Sequence, residues 1–206
     1  MEIAMKSIAF IFAFALLAFG HSYSFAADGS SDDKSDAPLP QGWPKLTEPG
    51  EIEVKTYPAY RTAKAESTGS FDQADNALFW QLFAHIQANG VEMTAPVINT
   101  YSKEDDKSEV EMEFVYRQPD QGKAGPGLGK VIVENRDAED FLTLGYRGAM
   151  NEKAFREGLE ELRAWLEKNQ QWEEAGQPRR LGYNGPMKPK KDRYWEIQIP
   201  VKKRAK

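Results

Sequence analysis

Between residues 72 and 87 the apolar positions Phe79, Leu82, Phe83 and Ile86 recur at intervals of three and four, the spacing that lines one face of an α-helix. Asp72 or Asp75 can cap the free N–H groups at its start, and Asn89-Gly90 can end it. Ahead of it, Ile52-Glu53-Val54-Lys55 alternates apolar with polar, the period of a half-buried strand. After it, 91–101 and 109–117 read as two strands joined by the charged turn 102–108, a hairpin candidate. In the second of these, Val110, Met112 and Phe114 alternate with Glu109, Glu111 and Glu113, which predicts one buried and one wet face.

A Gly-Pro-rich stretch, 119–129, interrupts the pattern, and the same order of elements then recurs. Residues 131–133 and 141–146 are extended. Residues 151–169 are helical, with Phe155, Leu159, Leu162 and Leu166 on one face. Residues 179–183 and 193–201 are extended again, the last with Trp195, Ile197, Ile199 and Val201 inward and Glu196 and Gln198 outward. The chain thus repeats strand–helix–strand–strand as a pattern, without repeating its sequence. Two such units can face one another or form one curved sheet with two helices, leaving a concavity between them.

The N-terminal part follows a different rule. Lys6 precedes an unbroken apolar run over 8–19 and an Ala-Ala pair at Ala26-Ala27, the layout of a secretory signal peptide over 1–27. The run falls short of the roughly 20 residues a membrane-spanning helix needs, so the expected form is exported, periplasmic or secreted, with no stable membrane span after cleavage. Residues 28–48, opening on Asp, Ser, Gly and Pro without apolar periodicity, are expected to be a flexible linker. That leaves 49–206 as one domain, which suits a chain of 206 residues that is 40% hydrophobic. With 27 Lys and Arg against 32 Asp and Glu, nothing in the charge favours nucleic acid as a partner. Cysteine is absent, which excludes disulfides, a thiol nucleophile, thiolate metal sites and covalent haem attachment.

Phe79, Leu82, Ile86 and Asn89 run into Met93-Thr94-Ala95-Pro96-Val97, and together they resemble the SOUL haem-binding protein family, in which an amphipathic helix leads into a strand reading M-T-x-P-V. Tyr183-Asn184-Gly185-Pro186 and Tyr194-Trp195-Glu196-Ile197 resemble its closing turn and last strand. The resemblance covers about 51–201. It implies an α+β domain, a distorted antiparallel β-barrel or sheet flanked by two helices, and non-covalent binding of haem or another tetrapyrrole for capture, buffering or sensing. The architecture is also similar to small-molecule effector-binding domains of the GyrI-like type, so a binding module for another apolar ligand stays open. A hydrolase acting on such a ligand is the remoter alternative.

Haem needs an apolar slot, cations for its propionates and often an axial donor. The candidates are His85, Met93 and Met187 as donors to iron, and Arg147 and Lys188 for carboxylates. His85 lies roughly 110° from the centre of the helix stripe, a boundary position where a half-exposed helix residue is the plainer role. Methionine more often fills a core, and loop cations more often face solvent. Trp80 and Trp165 could stack on a flat ring, or simply pack. Without the family, Pro96 places a bend at a strand edge, with Met93 and Val97 flanking it.

Other motifs fail on their residues. Ala124 to Lys130 lacks the first glycine of a phosphate-binding loop, and Val131 follows the lysine where Ser or Thr is required. No G-x-S-x-G elbow occurs, and after export any catalytic triad would have to use His85. No catalytic residue is therefore assigned, and the chain is expected to bind rather than to catalyse. Glu109, Glu111 and Glu113 are expected to be a wet face, and Lys202, Lys203, Arg204 and Lys206 a solvated terminus.

Overall fold

The structure, a computed structural model, describes residues 34–68, 73–104 and 107–205. The signal sequence expected over 1–27 lies outside the described residues, and among these no helix is long and apolar enough to cross a membrane. In chain order the elements are β1 (Ile52–Tyr57), β2 (Tyr60–Thr68), α1 (Gln73–Ala88), β3 (Val97–Glu104), β4 (Lys107–Val115) and β5 (Gly125–Pro126). There follow β6 (Ile132–Arg136), β7 (Glu139–Arg147), α2 (Glu152–Lys168), β8 (Trp172–Glu174), β9 (Arg179–Gly182), a 3-10 turn (Lys190–Asp192) and β10 (Tyr194–Lys203).

The strands form one open antiparallel sheet in the order β1-β7-β10-β9-β3-β4-β2-β6-β5, with β8 on β10. This order has an internal symmetry. Around the central β3–β9 pair, β4, β2 and β6 on one side answer β10, β7 and β1 on the other. The repeat is therefore one strand longer than the sequence pattern suggests, and each unit lends its first strand to the other: β1 pairs with β7, and β6 with β2. The exchange ties the halves into one cooperative sheet, because neither half's edge is complete alone.

Both helices lie on one face. Leu78, Leu82 and Ile86 of α1 pack on Ala63, Ala65, Val110, Met112 and Phe114. Phe155, Leu159 and Leu162 of α2 pack on Leu142, Leu144, Trp195 and Ile197. The expected cap Asp72 lies outside the described residues and Asp75 falls inside α1, but two other helix ends follow the sequence closely. Gly90 takes a positive φ of 62° just beyond α1, and the Asn151 side chain accepts the Ala154 N–H at 2.9 Å to cap α2.

The second face is where the sequence pattern misleads. Residues 34–48, expected to be part of a flexible linker, pack across it. Trp43 meets Tyr57 and Tyr60 edge-on at 4.8 and 5.3 Å, Leu46 is buried, and the Gln41 N–H donates to the Arg117 carbonyl at 2.9 Å. A few large apolar groups at fixed positions suffice to order a segment whose average composition is polar.

Because this face is covered, Glu196 and Gln198 of β10 are buried instead of pointing into water. Glu196 Oε1 accepts the Thr47 N–H at 2.7 Å and Lys55 Nζ at 3.1 Å. Its Oε2 accepts the hydroxyls of Tyr183 at 2.6 Å and Tyr57 at 3.3 Å, and Gln198 Nε2 at 3.3 Å. Burial beside that carboxylate pushes both phenols well above their ordinary pKa. Glu113 on β4 is also buried, paired with Arg136 at 3.1 Å, while Glu111 pairs with Lys64 at 2.9 Å. Of the face of β4 expected to be wet, Glu109 is exposed, whereas Glu111 and Glu113 belong to an ion-pair ladder.

Candidate functional site

Helix α1 packs on β2 and β4 and α2 on β7, β8 and β10, which leaves the central strands β3 and β9 between them as the floor of a gap. The resulting cleft has a volume of about 660 Å³, within the range of small-molecule sites, roughly 300–1,000 Å³. Phe79 and Trp80 of α1 form one wall and Met150, just before α2, stands across from them. Val97, Asn99, Met112, Arg180 and Gly182 make the floor, and Met93, Thr94 and Ala95 one end. The rim carries Asp36 and Ala37 from the N-terminal segment, residues 183–186 and Arg193. The surface is largely apolar with a few polar groups, a composition that orients an amphipathic ligand.

The helix is turned relative to its sequence stripe. Leu78, Leu82, His85 and Ile86 face inward, whereas Phe79 and Phe83 are only partly buried and stack on each other at 5.9 Å beside the cleft. The sequence stripe mixed a core face with a cleft wall, because both are apolar.

Met93-Thr94-Ala95-Pro96-Val97 precedes and opens β3 rather than lying within it. The Thr94 hydroxyl donates to the Val115 carbonyl at 2.5 Å, and the Ala95 N–H to the Pro38 carbonyl at 3.1 Å. These two bonds fix the bend at the end of the cleft and leave Met93 lining it.

The other sequence candidates scatter. His85 is 3% exposed, on the inward side of α1 and outside the cleft lining. Its Nδ1 accepts the Leu128 N–H at 3.1 Å, so its Nε2 carries the proton and donates to Tyr116 Oη at 3.0 Å. Burial lowers its pKa, which favours that neutral form. Both ring nitrogens are thus committed within the protein, and the ring pins α1 to the 127–131 loop. The half-exposed boundary position expected for it is replaced by a core one, because that loop covers this flank of the helix.

Met187 is 93% exposed on the 183–193 loop. Lys188 lies beside the rim, paired with Asp36 at 3.5 Å and 5.4 Å from the Tyr194 ring. Arg147 pairs with Asp192 at 3.0 Å and sits over the same ring at 5.6 Å. Asp36 also accepts the Gly185 N–H and Asn184 Nδ2, both at 2.9 Å, and these contacts with Lys188 hold its carboxyl below the usual range even against the opposing effect of burial. Trp80 lines the cleft, whereas Trp165 packs on the α2 core.

Sequence reasoning missed Asn99, Met112, Met150, Arg180 and Arg193. Arg180 carried a signal, since an arginine whose neighbour Leu181 is core occupies the opposite, helix-covered face of its strand. Its guanidinium is buried on the cleft floor, 5.5 Å from the Tyr101 ring. The lining is of a kind that suits a planar amphipathic anion such as haem: its walls are aromatic and thioether, and Arg180 and Arg193 are the cations within it.

A family model described as SOUL heme-binding protein matches residues 44–200. Among solved structures, the crystal structure of the EcmrR C-terminal domain is similar with a TM-score of 0.61 and 20% identity, covering 75% of this chain and 98% of that one. The cryo-EM structure of an EcmrR–DNA complex gives 0.60 and 19%, covering 75% of this chain and 58% of that one. A hydrolase from Listeria innocua gives 0.59 and 11%, covering 76% and 94%. At such identities these likenesses concern the fold. A search of the curated proteins gives no match.

Proposed function

This chain belongs to the SOUL heme-binding protein family, and from that premise we propose that it binds a tetrapyrrole, haem first among them, without covalent attachment in the cleft between α1 and α2. The observation that carries the reading is the cleft itself: about 660 Å³ walled by Phe79, Trp80 and Met150, with Arg180 on its floor. Binding would rest mainly on burial of the apolar ring, which removes several hundred Å² from water at about 25 cal/mol per Å². Arg180 and Arg193 would hold the carboxylates. Met93 and Met150 are the thioethers that line the cleft and could face iron. The bound haem would supply its own redox and gas-binding chemistry; the protein's residues bind, orient and shield it.

The role we infer is capture, buffering or sensing of the ligand by an exported protein, periplasmic or secreted. The export part rests on the sequence of residues 1–27 alone.

Titration of hemin into the chain from residue 28 onward tests the reading. A saturable, red-shifted Soret band is expected, retained in His85→Ala and weakened in Trp80→Ala. No saturable band at micromolar hemin would overturn it.

A further inference from the structure

Four large apolar side chains are exposed among the described residues, and two of them belong to the mouth of the cleft. Trp80, 61% exposed, is part of its wall. Met187, 93% exposed, directly follows Gly185 and Pro186, which line the rim. Single exposed apolar residues are ordinary on a protein surface. Their placement here is selective, because each flanks the opening through which an apolar ligand must pass.

The charge around them is selective too. The loop reads Pro186-Met187-Lys188-Pro189-Lys190-Lys191-Asp192-Arg193, and Arg147 stands beside it, bonded to Asp192. With Lys34, which stands over the Tyr194 ring and pairs with Glu48, this loop and its surroundings carry six cations against the three carboxylates of Asp36, Glu48 and Asp192, on a chain whose net charge is −5. Lys190 and Lys191 are exposed, on a 3-10 turn with no buried residue. The loop is also braced. Arg193 Nε donates to the Lys188 carbonyl and its Nη2 to the Pro186 carbonyl, both at 2.9 Å, and Asn184 Oδ1 accepts the Tyr194 N–H at 2.6 Å. A loop tied by its own carbonyls presents Met187 outward as part of its fixed shape.

We propose that this lip, Trp80 at the cleft mouth and Met187 with Lys190 and Lys191 on its own loop, docks on the surface of an anionic phospholipid membrane. An apolar tip enters the boundary between headgroups and acyl chains, lysines around it meet lipid phosphates, and tryptophan favours that same depth. Docked in this way, the cleft opens towards the bilayer, and a membrane-soluble ligand passes between the two without crossing bulk water. The inference goes beyond tetrapyrrole binding and holds for any membrane-soluble occupant of the cleft.

The test is sedimentation of the chain from residue 28 onward, without hemin, with vesicles of phosphatidylcholine alone or mixed with phosphatidylglycerol. Binding to the mixed vesicles is expected, weakening as salt is raised. The double variant K190E/K191E lowers the partition coefficient by at least about tenfold, and Met187→Asp also lowers it. Neither change touches the cleft lining, so hemin titrations of both variants match the wild type. Absence of binding to mixed vesicles overturns the proposal, as does binding undiminished in both variants or equal on neutral vesicles. Vesicle binding by a chain that takes no hemin supports it while removing the haem reading alone.

Discussion

Gly127 and His85 lie against each other so closely that a Cβ built on Gly127 would fall 2.8 Å from His85 Cε1 and 2.9 Å from Nδ1. The imidazole cannot turn aside, since Tyr116 and the Leu128 N–H hold its two nitrogens. Gly127→Ala therefore forces the 127–131 loop away from α1. A loss of about 1–3 kcal/mol is expected, read as a lower urea midpoint. An unchanged midpoint would mean that the loop shifts freely and does not clamp the helix.

The same histidine makes stability depend on pH. Burial lowers its folded pKa below the ordinary 6.5, so on acidification the unfolded chain takes up the proton first. Its contribution is complete above about pH 6.5 and is lost as pH falls through the folded pKa. Between about pH 7.5 and about pH 5.5 the wild type should lose more stability than His85→Gln. Equal losses would assign the dependence to other groups, but not to Glu113, whose pKa burial raises and whose effect has the opposite sign.

Glu196 is the acceptor that joins β10 to Tyr57, Tyr183, Lys55 and the N-terminal segment. Glu196→Ala removes at once the acceptor of two buried hydroxyls and the Thr47 N–H, leaving half-buried Lys55 to Glu53 and the Lys45 carbonyl, and a loss of about 3–5 kcal/mol is expected. Tyr183→Phe removes one donor of several and costs about 1 kcal/mol. If chemical denaturation gave equal losses for the two, the carboxylate would not be the hub of the network.

Two glycines permit close packing of different partners, and their alanine variants should differ. At Gly145 a Cβ would collide with the carbonyl oxygens of Thr47 and Glu48, which are backbone and held by the bonds Gly50 N–H to Gly145 O and Gly145 N–H to Glu51 O. At Gly158 it would meet the Ile197 Cδ1, the mobile end of a side chain, and alanine gains about 1 kcal/mol of helix propensity there. Gly145→Ala should be the more damaging in thermal denaturation and should expose 34–48 to protease; the reverse order would contradict this packing.

Gly182 lies on the cleft floor, where a Cβ would sit 3.4 Å from the Met150 methyl, an ordinary contact. Gly182→Ile suits an extended backbone and fills the cleft. Hemin affinity should fall by about tenfold or more, equivalent to about 1.4 kcal/mol, with the urea midpoint unchanged. Undiminished affinity would place the ligand elsewhere.

Much of the architecture was legible as periodicity. The helix expected over 72–87 is α1 within a residue at each end, and that over 151–169 is α2 with Asn151 as its cap. Strand β2 escaped notice because Tyr60, Thr62 and Lys64 share one face while Ala63 and Ala65 occupy the other, so small residues hid a buried strand. Of the site, Met93 and Trp80 were legible as apolar residues of the right type. His85, Arg147, Met187 and Lys188 have suitable chemistry, but the fold places them away from the cleft lining.

What the sequence by itself determined is the set of local elements, the family and the repeat, since spacing, caps and turn residues act over a few neighbours. What only the tertiary structure decided is which side of each element becomes core, cleft or solvent. Leu82 and Phe79 are both large and apolar, yet one is buried between α1 and the sheet and the other walls the cleft. Glu196 and Glu139 are the same residue type, yet one lies beneath residues 34–48 and the other is exposed. The free energy of a side chain depends on what distant segments cover it, and here those segments are an N-terminal strap, the 127–131 loop and a strand lent by the other half of the repeat.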